Sequence, residues 1–439
     1  MSLHLRGIHL PHRKHTVGTD ALRMPAPKTV TLPMSMHIGR PAIPSVKVGD
    51  VVKVGTKIAE QDGHISSPIY SSVSGKVIKL AEILLSSGNK GAAVVIESDG
   101  EMSVDEAIAP PSVHSREDLI EAIRASGVVG LGGAGFPTHV KFNVDPEKIE
   151  ALVVNGAECE PYITSDTHTM VARREDMAVA LEAMKAHLGI KHIIIGIEAN
   201  NKGAIQSMHQ LMLDVMQNCR VDVKVLPSVY PQGGEKVLVY HTTGKQIPTG
   251  KLPIDVGCVV CNCTTLAAIG AYLKTGMPLV EKCVTVDGAA VAKPQNVICP
   301  IGTSVSDLID FCGGLTGSPD KILYGGPMMG ITVPDLSAPV MKNTNAILAL
   351  SKKEAKLPAT TACIRCGSCT NTCPFGLNPA SIAQAYSKKD FEALERLNVN
   401  LCMECGCCSF VCPANRPLVQ TNKLAKQALR EEKAKEVKN

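Results

Sequence analysis

Two cysteine runs near the C-terminus have the residue types and the spacing to bind metal clusters. The first run contains Cys363, Cys366, Cys369 and Cys373, and the second contains Cys402, Cys405, Cys408 and Cys412. Each run follows the pattern C-x2-C-x2-C-x3-C and ends before a proline, which is typical of cubane iron–sulfur clusters. Zinc sites use cysteine pairs or Cys/His mixtures instead, and disulfides belong to oxidising compartments. The runs therefore predict two [4Fe–4S] clusters.

The fourth cysteine of each run is predicted to bind the cluster of the other run. Three closely spaced thiolates hold one cube, and the fourth is directed away from it. One cluster is then bound by Cys363, Cys366, Cys369 and Cys412. The other is bound by Cys402, Cys405, Cys408 and Cys373. Cys407 falls outside this spacing, and we do not expect it to be a ligand.

Two other groups of potential metal ligands have weaker patterns. Cys258, Cys261 and Cys263 lack a fourth thiolate at a cluster spacing, so we expect them to be buried as small apolar side chains. His9, His12 and His15 lie in an irregular, proline-interrupted stretch with no cysteine or carboxylate to complete a ligand set. We expect this stretch, residues 1–35, to be an arm that docks on the rest of the chain.

Length and composition indicate a globular chain of about three domains. Of 439 residues, 45% are hydrophobic and 20% are charged, and the net charge of +4 is too small to indicate nucleic acid. No signal peptide opens the chain, and oxidants destroy iron–sulfur clusters, so a reducing cytoplasm is expected. Residues 256–273 are uncharged and long enough to span a bilayer. Asn262, Thr264 and Thr265 interrupt them, which favours a buried strand and helix over a transmembrane segment.

Residues 36–110 are predicted to form β-hairpins. Valine and isoleucine alternate with other residues between glycine and aspartate turns. The order of these elements resembles the biotinyl/lipoyl barrel-sandwich fold, in which a lysine at a hairpin tip carries the cofactor. The corresponding tip, residues 61–64, reads Gln-Asp-Gly-His and has no lysine. We therefore expect a structural module without a carrier function.

Residues 111–275 are predicted to form a parallel α/β domain. Ser115 and Asp118 form a capping box at a helix start, and the glycine-rich loop that follows contains Gly132, Gly133 and Gly135. Glycines in a loop allow close approach of the backbone to a phosphate, although many such loops are only tight turns. Strands and helices then alternate, as in a parallel sheet. Polar residues follow the first strand, at the edge where such sheets bind ligands: Asn155, Glu158 and Glu160.

These segments together resemble a known family. The loop at 132–138, Lys141 and the run Asn155-Gly-Ala-Glu-Cys-Glu-Pro resemble the NADH- and flavin-binding subunit of respiratory complex I. The C subunits of Rnf ion-translocating ferredoxin:NAD oxidoreductase complexes are the closer match. They resemble this chain from the Gly-Ile-His opening at 7–9 through the barrel-sandwich module and the flavin domain to the paired cysteine runs.

The resemblance implies a set of cofactor contacts. FMN would be held by the loop 132–136, with Lys141 near its charged edge and Asn155 beside it. Glu160 would contact the nicotinamide nucleotide, and Phe136 would stack near the nicotinamide. Further flavin-site positions are implied by matching segments: Gly234, Glu235, Asn262 and Thr265. Cys261 departs from the complex I pattern, because it stands where an asparagine would be.

The remaining chain completes the predicted fold. Residues 276–345 contain a hairpin around Asp287-Gly288 and one helix, which resembles the β-grasp domain of this family. Residues 355–417 form an α-helical, ferredoxin-like double [4Fe–4S] domain, and residues 418–439 a charged helix with a narrow apolar stripe, either solvated or docked. We therefore expect a multidomain α/β plus α+β protein with a barrel-sandwich hybrid, a Rossmann-like FMN domain, a β-grasp domain and the cluster domain.

The combination of flavin and clusters indicates an electron-transfer function. NAD(H) exchanges a hydride and clusters exchange single electrons, and FMN converts between the two. No residue needs to act as a catalytic acid or nucleophile. The resemblance implies a ferredoxin:NAD+ oxidoreductase subunit, peripheral on the cytoplasmic face of a bacterial or archaeal plasma membrane. Its partners would be membrane subunits that translocate Na+ or H+ and an iron–sulfur subunit that receives electrons from ferredoxin. Two alternatives are a soluble flavin/iron–sulfur reductase, such as a cobalamin reductase, and a cluster relay without a nucleotide site.

Overall fold

The computed structural model describes residues 5–85 and 88–436 of a multidomain α/β protein. The N-terminal region is built from strands β1 (Leu22–Arg23), β2 (Thr29–Pro33), β3 (Ile43–Pro44), β4 (Val51–Val52), β5 (Lys57–Glu60), β6 (Ile69–Tyr70), β7 (Gly75–Leu84) and β8 (Lys90–Ser98). One antiparallel sheet has the order β2-β8-β7-β4, and a second has the order β3-β5-β6. Their valine, isoleucine and methionine side chains share one core. The tip at residues 61–64 connects β5 and β6, as predicted.

The central region is a parallel sheet flanked by helices. Its elements are α1 (Arg116–Ala125), α2 (Thr138–Phe142), β9 (Ala151–Asn155), α3 (Ser165–Ala172), α4 (Arg174–Leu188), β10 (His192–Glu198), α5 (Lys202–Val215), β11 (Arg220–Leu226), α6 (Glu235–Thr243), β12 (Cys258–Asn262) and α7 (Cys263–Thr275). The capping box of Ser115 and Asp118 is formed. All strand pairs are parallel, in the order β11-β10-β9-β12. The predicted strand–helix alternation is confirmed, and two consecutive helices, α3 and α4, separate β9 from β10.

A six-stranded mixed sheet follows the parallel one. Its strands are β1 together with β13 (Glu281–Asp287), β14 (Gln295–Pro300), β15 (Lys321–Tyr324), β16 (Ile331–Thr332) and β17 (Ala346–Leu350), and helix α8 (Val305–Phe311) follows β14. Its order is β1-β14-β13-β17-β15-β16. The sheet thus continues beyond residue 345 through β17, which pairs in parallel with β13.

The predicted hairpin is formed by the antiparallel pair β13 and β14, but its connection is longer than a turn at Asp287-Gly288. β13 pairs with β14 only from Val286↔Gln295, so residues 288–294 form a longer connection. The physical reason lies in the contacts after Gly288. The Ala290 amide donates to the Ala349 carbonyl over 3.1 Å, which draws the chain towards β17 before it can return as β14.

The C-terminal region is helical. Its elements are α9 (Lys352–Ala355), α10 (Ser368–Thr372), α11 (Pro379–Ser387), α12 (Phe391–Arg396), α13 (Cys407–Phe410) and α14 (Leu418–Glu436). Ala425 and Leu429 of α14 are buried in a core with Ile382 and Leu394. The apolar stripe of the last helix is therefore covered by α11 and α12 rather than solvated. The final three residues of the predicted helix, 437–439, and the first four residues of the predicted arm lie outside the described residues.

Among the described helices, none combines the length and the apolar character that a bilayer crossing requires. The stretch at 256–273 forms β12 and most of α7, as expected from its polar interruption.

Candidate functional site

The predicted ligand residues of the parallel sheet meet at its carboxyl edge. The chain continues from β9 to β10 on one side, whereas β12 is added on the other side of β9. This change of direction creates a switch point between β9 and β12, where α/β sheets leave a crevice for ligands. Asn155 and Asn262, the last residues of these two strands, are direct partners in the ladder. Two site residues that are far apart in sequence are thus neighbours.

The glycine-rich loop lies over this switch point. The Leu131 amide donates to Thr265 Oγ1 over 2.9 Å, which ties the start of the loop to α7. Gly132 lies so close to Asn262 that a Cβ at position 132 would be 2.5 Å from the Asn262 amide nitrogen. A side chain at position 132 would therefore have to displace the Asn262 amide. Residues 132–134 remain exposed, so their backbone is accessible to a ligand.

Two other domains donate hydrogen bonds to carbonyl groups of the same loop. The Ile38 amide of the N-terminal region donates to the Gly135 carbonyl over 3.0 Å. Asn343, just before β17, donates through Nδ2 to the Gly133 carbonyl over 2.8 Å. Phe136 is half-buried where the loop ends. Because contacts from three domains fix the loop, its backbone is held ready for a ligand.

Lys141 and Glu235 provide charged groups at the same edge. Lys141 Nζ donates to the Val260 carbonyl over 3.0 Å and lies 3.2 Å from Glu235 Oε1. Both side chains are partly exposed. Asn155 Nδ2 donates to the Gly233 carbonyl over 2.9 Å, which holds the segment before α6 against the end of β9. The predicted flavin-site segments at 132–141, 155, 233–235 and 262–265 therefore converge.

Glu158 and Glu160 have different environments. The Glu158 carboxylate accepts from the Asp166 amide over 2.8 Å and from Thr167 Oγ1 over 2.8 Å at the start of α3. The Glu158 carboxylate is buried and its hydrogen bonds are made within the protein. A contact between Glu158 and a cofactor therefore stays a prediction. The Glu160 carboxylate accepts from the Met328 and Met329 amides over 3.1 and 2.9 Å. Burial raises the pKa of Glu160 to about 7.

The second predicted cysteine set lines one cavity. Cys373 of the first run lies there together with Cys402, Cys405 and Cys408 of the second run, among apolar neighbours that include Leu377 and Val419. Cys373 thus joins the cysteines of the other run, as the spacing predicts. The donor set is four thiols in an apolar enclosure, which fits an iron–sulfur cluster. Cys407 also borders the cavity, but its Sγ donates to the Tyr230 carbonyl over 3.9 Å.

The first predicted set is at the surface. Cys363 and Cys366 are exposed, whereas Cys369 and Cys412 are half-buried and pack against the same small core of Leu418 and Val419. Cys412 of the second run thus lies near Cys369 of the first. Ser368 hydrogen-bonds Cys366 Sγ at 3.3 Å and lowers the pKa of this thiol, which favours the thiolate form that binds iron.

The buried cysteine set abuts the carboxyl edge of the sheet. Gly234 leaves space for the Met403 methyl group, which a Cβ at position 234 would contact. Tyr230 donates its hydroxyl to the Cys405 carbonyl over 2.7 Å and lies 3.4 Å from the Glu160 carboxylate. Residues of the predicted flavin site and of the second cysteine run are therefore in direct contact.

Sequence reasoning missed three residues of this edge: Lys14, Glu198 and Tyr230. Glu198 is the last residue of β10, so the rule that identified Asn155 could have found it. Lys14 lies in the N-terminal arm, and Tyr230 follows β11 in an irregular segment. No local pattern marks either residue, because only the packing of distant segments brings them to the site.

The other candidate groups lie elsewhere. Cys258 packs in a core distinct from the one that contains Cys261 and Cys263. For Cys258 and Cys261, which both lie in β12, this follows from the alternation of side chains along a strand. His15 bonds Asp287 at 2.8 Å. A large cavity of about 930 Å³, lined partly by Glu150 and Lys245, borders the start of β9 and therefore lies away from the carboxyl edge.

Family models match four parts of the chain. Residues 123–271 match the Nuo51 FMN-binding domain, and residues 3–101 match the RnfC barrel sandwich hybrid domain. Residues 283–332 match the SLBB domain, and residues 357–423 match the 4Fe-4S dicluster domain. The residues that converge at the sheet edge offer groups whose chemistry suits a flavin phosphate and ring: an exposed glycine loop, a lysine and asparagine amides.

Several curated proteins are similar over most of the chain. The C subunit of the Na(+)-translocating ferredoxin:NAD(+) oxidoreductase complex of Acetobacterium woodii is 41% identical over 428 residues, 96% of each chain. Its counterpart in the proton-translocating complex of Clostridium ljungdahlii is 39% identical and covers 88% of this chain and 85% of its own. The C subunit of the ion-translocating oxidoreductase complex of Rhodobacter capsulatus is 38% identical over 98% of this chain and 83% of its own.

A solved structure supports the fold. A chain of an NAD+-reducing [NiFe]-hydrogenase matches 72% of this chain and 62% of its own length, with a TM-score of 0.51 and 17% identity. The fold and the matching family models define a multidomain α/β protein that combines a flavin-binding domain with a 4Fe-4S dicluster domain. The chain belongs to the family of C subunits of ion-translocating ferredoxin:NAD(+) oxidoreductase complexes.

Proposed function

We propose that this chain exchanges electrons between NAD(H) and two [4Fe–4S] clusters through FMN, as a subunit of a ferredoxin:NAD+ oxidoreductase complex. The observation that supports this most directly is the contact between the predicted flavin site and the second cysteine run, at Gly234–Met403 and Tyr230–Cys405. Bound FMN supplies the conversion between hydride transfer and single-electron transfer. The similarity to C subunits of such complexes favours this function over the alternative of a soluble reductase.

The residues at the carboxyl edge would bind and orient the ligands. Backbone groups of Gly132 and Gly133, the Lys141 ammonium and the amides of Asn155 and Asn262 would hold FMN. Four further residues would shape the same site: Gly135, Gly234, Glu235 and Thr265. Glu160 and Phe136 would face the nicotinamide nucleotide.

The two cysteine sets would have different positions on the electron path. The set with Cys402, Cys405, Cys408 and Cys373 adjoins the flavin site and lines an apolar cavity. The set with Cys363, Cys366, Cys369 and Cys412 includes exposed residues, so it would exchange electrons with a partner protein. Electrons would thus enter or leave the chain at the exposed set.

The names of the relatives extend this to the assembly. They include both Na+- and proton-translocating complexes, so membrane subunits would couple the electron flow to translocation of an ion. This chain would lie on the cytoplasmic face as a peripheral subunit and receive electrons from an iron–sulfur partner. Its domains would be an arm (1–35) whose strand β2 joins the sheet of the next module, a barrel-sandwich module (36–110), a Rossmann-like flavin domain (111–275), a β-grasp domain (276 to about 350), a ferredoxin-like domain (355–417) and a terminal helix.

An anaerobic titration tests the proposal. The full chain would be reconstituted with FMN and clusters, NADH added, and flavin bleaching and cluster reduction followed by absorbance and EPR. Prompt bleaching followed by cluster reduction is expected. FMN binding without any reaction with NADH would refute the nucleotide site and favour a relay.

A matched pair of variants tests the flavin contacts. Lys141→Met removes the ammonium at the edge and should weaken FMN binding about tenfold, since a hydrogen bond to a charged group contributes about 1.5–3 kcal/mol. Lys148→Met, at an exposed lysine in the same domain, should bind FMN like the wild type. Equal affinity of both variants would contradict the assignment of Lys141.

A further inference from the structure

The N-terminal arm lies across the carboxyl edge of the parallel sheet. Ile8 pairs with Tyr230 through two backbone hydrogen bonds of 2.9 Å. The Tyr162 amide donates to the His12 carbonyl over 2.9 Å, and Thr16 Oγ1 lies 2.5 Å from Thr164 Oγ1. These contacts precede and follow Lys14 along the arm, so they fix its position.

Lys14 is almost fully enclosed. Its side chain is 11% exposed, and its Nζ donates to the Glu158 carbonyl over 2.6 Å. The same nitrogen lies 4.0 Å from Glu158 Oε2. A lysine in such a position requires negative charge nearby, because a buried ammonium without a partner is costly.

Glu158 is the acid that Lys14 contacts, and two further acids lie at the same edge. Glu158 caps α3, Glu160 follows β9, and Glu198 ends β10. Burial raises the pKa of Glu160 and of Glu198 to about 7, and the Lys14 ammonium opposes this rise for all three acids. Asp166 also acts on Glu158 and raises its pKa. Lys14 thus contacts one buried acid, Glu158, and its charge lowers the pKa of all three.

We infer that Lys14 is a positioning residue of the redox site, which the N-terminal arm inserts to set the charge of the carboxyl edge. This rests on the proposed function, because Glu160 and Asn155 of that edge are its predicted ligand residues. Reduction of a bound flavin by hydride adds negative charge to the site. A fixed ammonium among the carboxyl groups offsets that charge, so it favours both binding and reduction of the flavin.

The test compares three variants of the full chain, reconstituted anaerobically with clusters and FMN. Lys14→Met removes the charge and retains most of the length, Lys14→Arg retains the charge, and Lys28→Met changes an exposed lysine of the same N-terminal segment. FMN affinity is measured by fluorescence quenching. The NADH/NAD+ ratio at which half of the flavin is reduced is measured by absorbance. Circular dichroism and iron content verify that each variant is folded and loaded.

Lys14→Met should bind FMN about tenfold more weakly and need about a tenfold higher NADH/NAD+ ratio for half-reduction, as expected for one lost charge interaction in a partly buried site. Lys14→Arg should restore most of both values, and Lys28→Met should equal the wild type. A change in the ratio at saturating FMN would not arise from a merely structural role.

Two outcomes would overturn the inference. One is a Lys14→Met variant that equals Lys28→Met in both measurements. The other is a folded, loaded Lys14→Arg variant as defective as Lys14→Met, since the charge would then not matter. A wild-type chain that fails to bind FMN would instead refute the proposed function, and this inference with it.

Discussion

The two cysteine runs have the same local structure. Arg365 and Glu404, at equivalent positions, both have positive φ, 56° and 62°. Gly367 and Gly406 also correspond, with φ of 77° and 81°, and each precedes a short helix, α10 or α13. Because C-x2-C-x2-C requires the chain to wrap around one object, both copies adopt the same turn.

The surroundings of the two runs differ. Ile364 is 68% exposed, whereas its counterpart Met403 is half-buried beside Gly234. Ser368 is half-buried, whereas its counterpart Cys407 is 1% exposed. Identical local patterns therefore have different surroundings, and the second run is the interior end and the first run the exterior end of the proposed electron path. The difference arises from what packs on each copy, not from the ligands themselves.

The largest expected effect separates the two cysteine sets. Cys405→Ser should abolish NADH-driven reduction of the remaining cluster and leave flavin bleaching intact, because the interior end is interrupted. Cys363→Ser should lose the exposed cluster and retain NADH-driven reduction of the buried one. EPR after addition of NADH distinguishes these results.

Cys373→Ser sharpens the same comparison. Although Cys373 belongs to the first run, it lines the cavity of the second, so this variant should resemble Cys405→Ser. EPR spectra that instead resemble those of Cys363→Ser would show that each run binds its own cluster.

Shortening the equivalent apolar residues should affect stability unequally. Met403→Ala removes the contact with Gly234 and should lower the free energy of unfolding by about 2 kcal/mol. Ile364→Ala, at the exposed position, should change it by less than about 0.5 kcal/mol. Anaerobic urea unfolding measures both, and equal losses would contradict the division into interior and exterior ends.

Glu198, at the carboxyl edge, should make the stability of the protein depend on pH. The pKa of Glu198 is raised to about 7 by burial, so between about pH 5 and 7 the folded chain binds more protons than the unfolded chain. This contribution is present at low pH and is lost as the pH rises through 7. Glu198→Gln should therefore reduce the fall in stability between pH 5 and 8 by about 2 kcal/mol. Urea unfolding at both pH values tests this, with Glu97→Gln, at an exposed position of β8, as the control.

The smallest effect concerns a single hydroxyl. Tyr230→Phe removes the bond to the Cys405 carbonyl and should cost about 1 kcal/mol. Tyr324→Phe removes a comparable bond of 2.8 Å to the Pro339 carbonyl and should cost about the same. Only Tyr230→Phe should shift the midpoint potential of the buried cluster in a redox titration. An equal potential in both variants would remove Tyr230 from the link between the two sites.

Much of the site was predictable where function imposes a local pattern. Cysteine spacing predicts both ligand sets, and the position of Asn155 after a buried strand predicts the ligand edge. The parallel sheet follows from alternating strands and helices. The turn after Asp287 was not predictable, because its path is set by pairing with Ala349 in a strand more than 50 residues away.

By itself, the sequence determined the two cysteine sets, the glycine loop and the parallel sheet, because each depends on spacing or periodicity within a short segment. Only the tertiary structure decided which cysteine set is buried, and that Lys14, Glu198 and Tyr230 belong to the carboxyl edge. The physical reason is that burial and charge at a site depend on all segments that pack there. Those segments are brought together by the hydrophobic contacts of the whole chain, which no local pattern records.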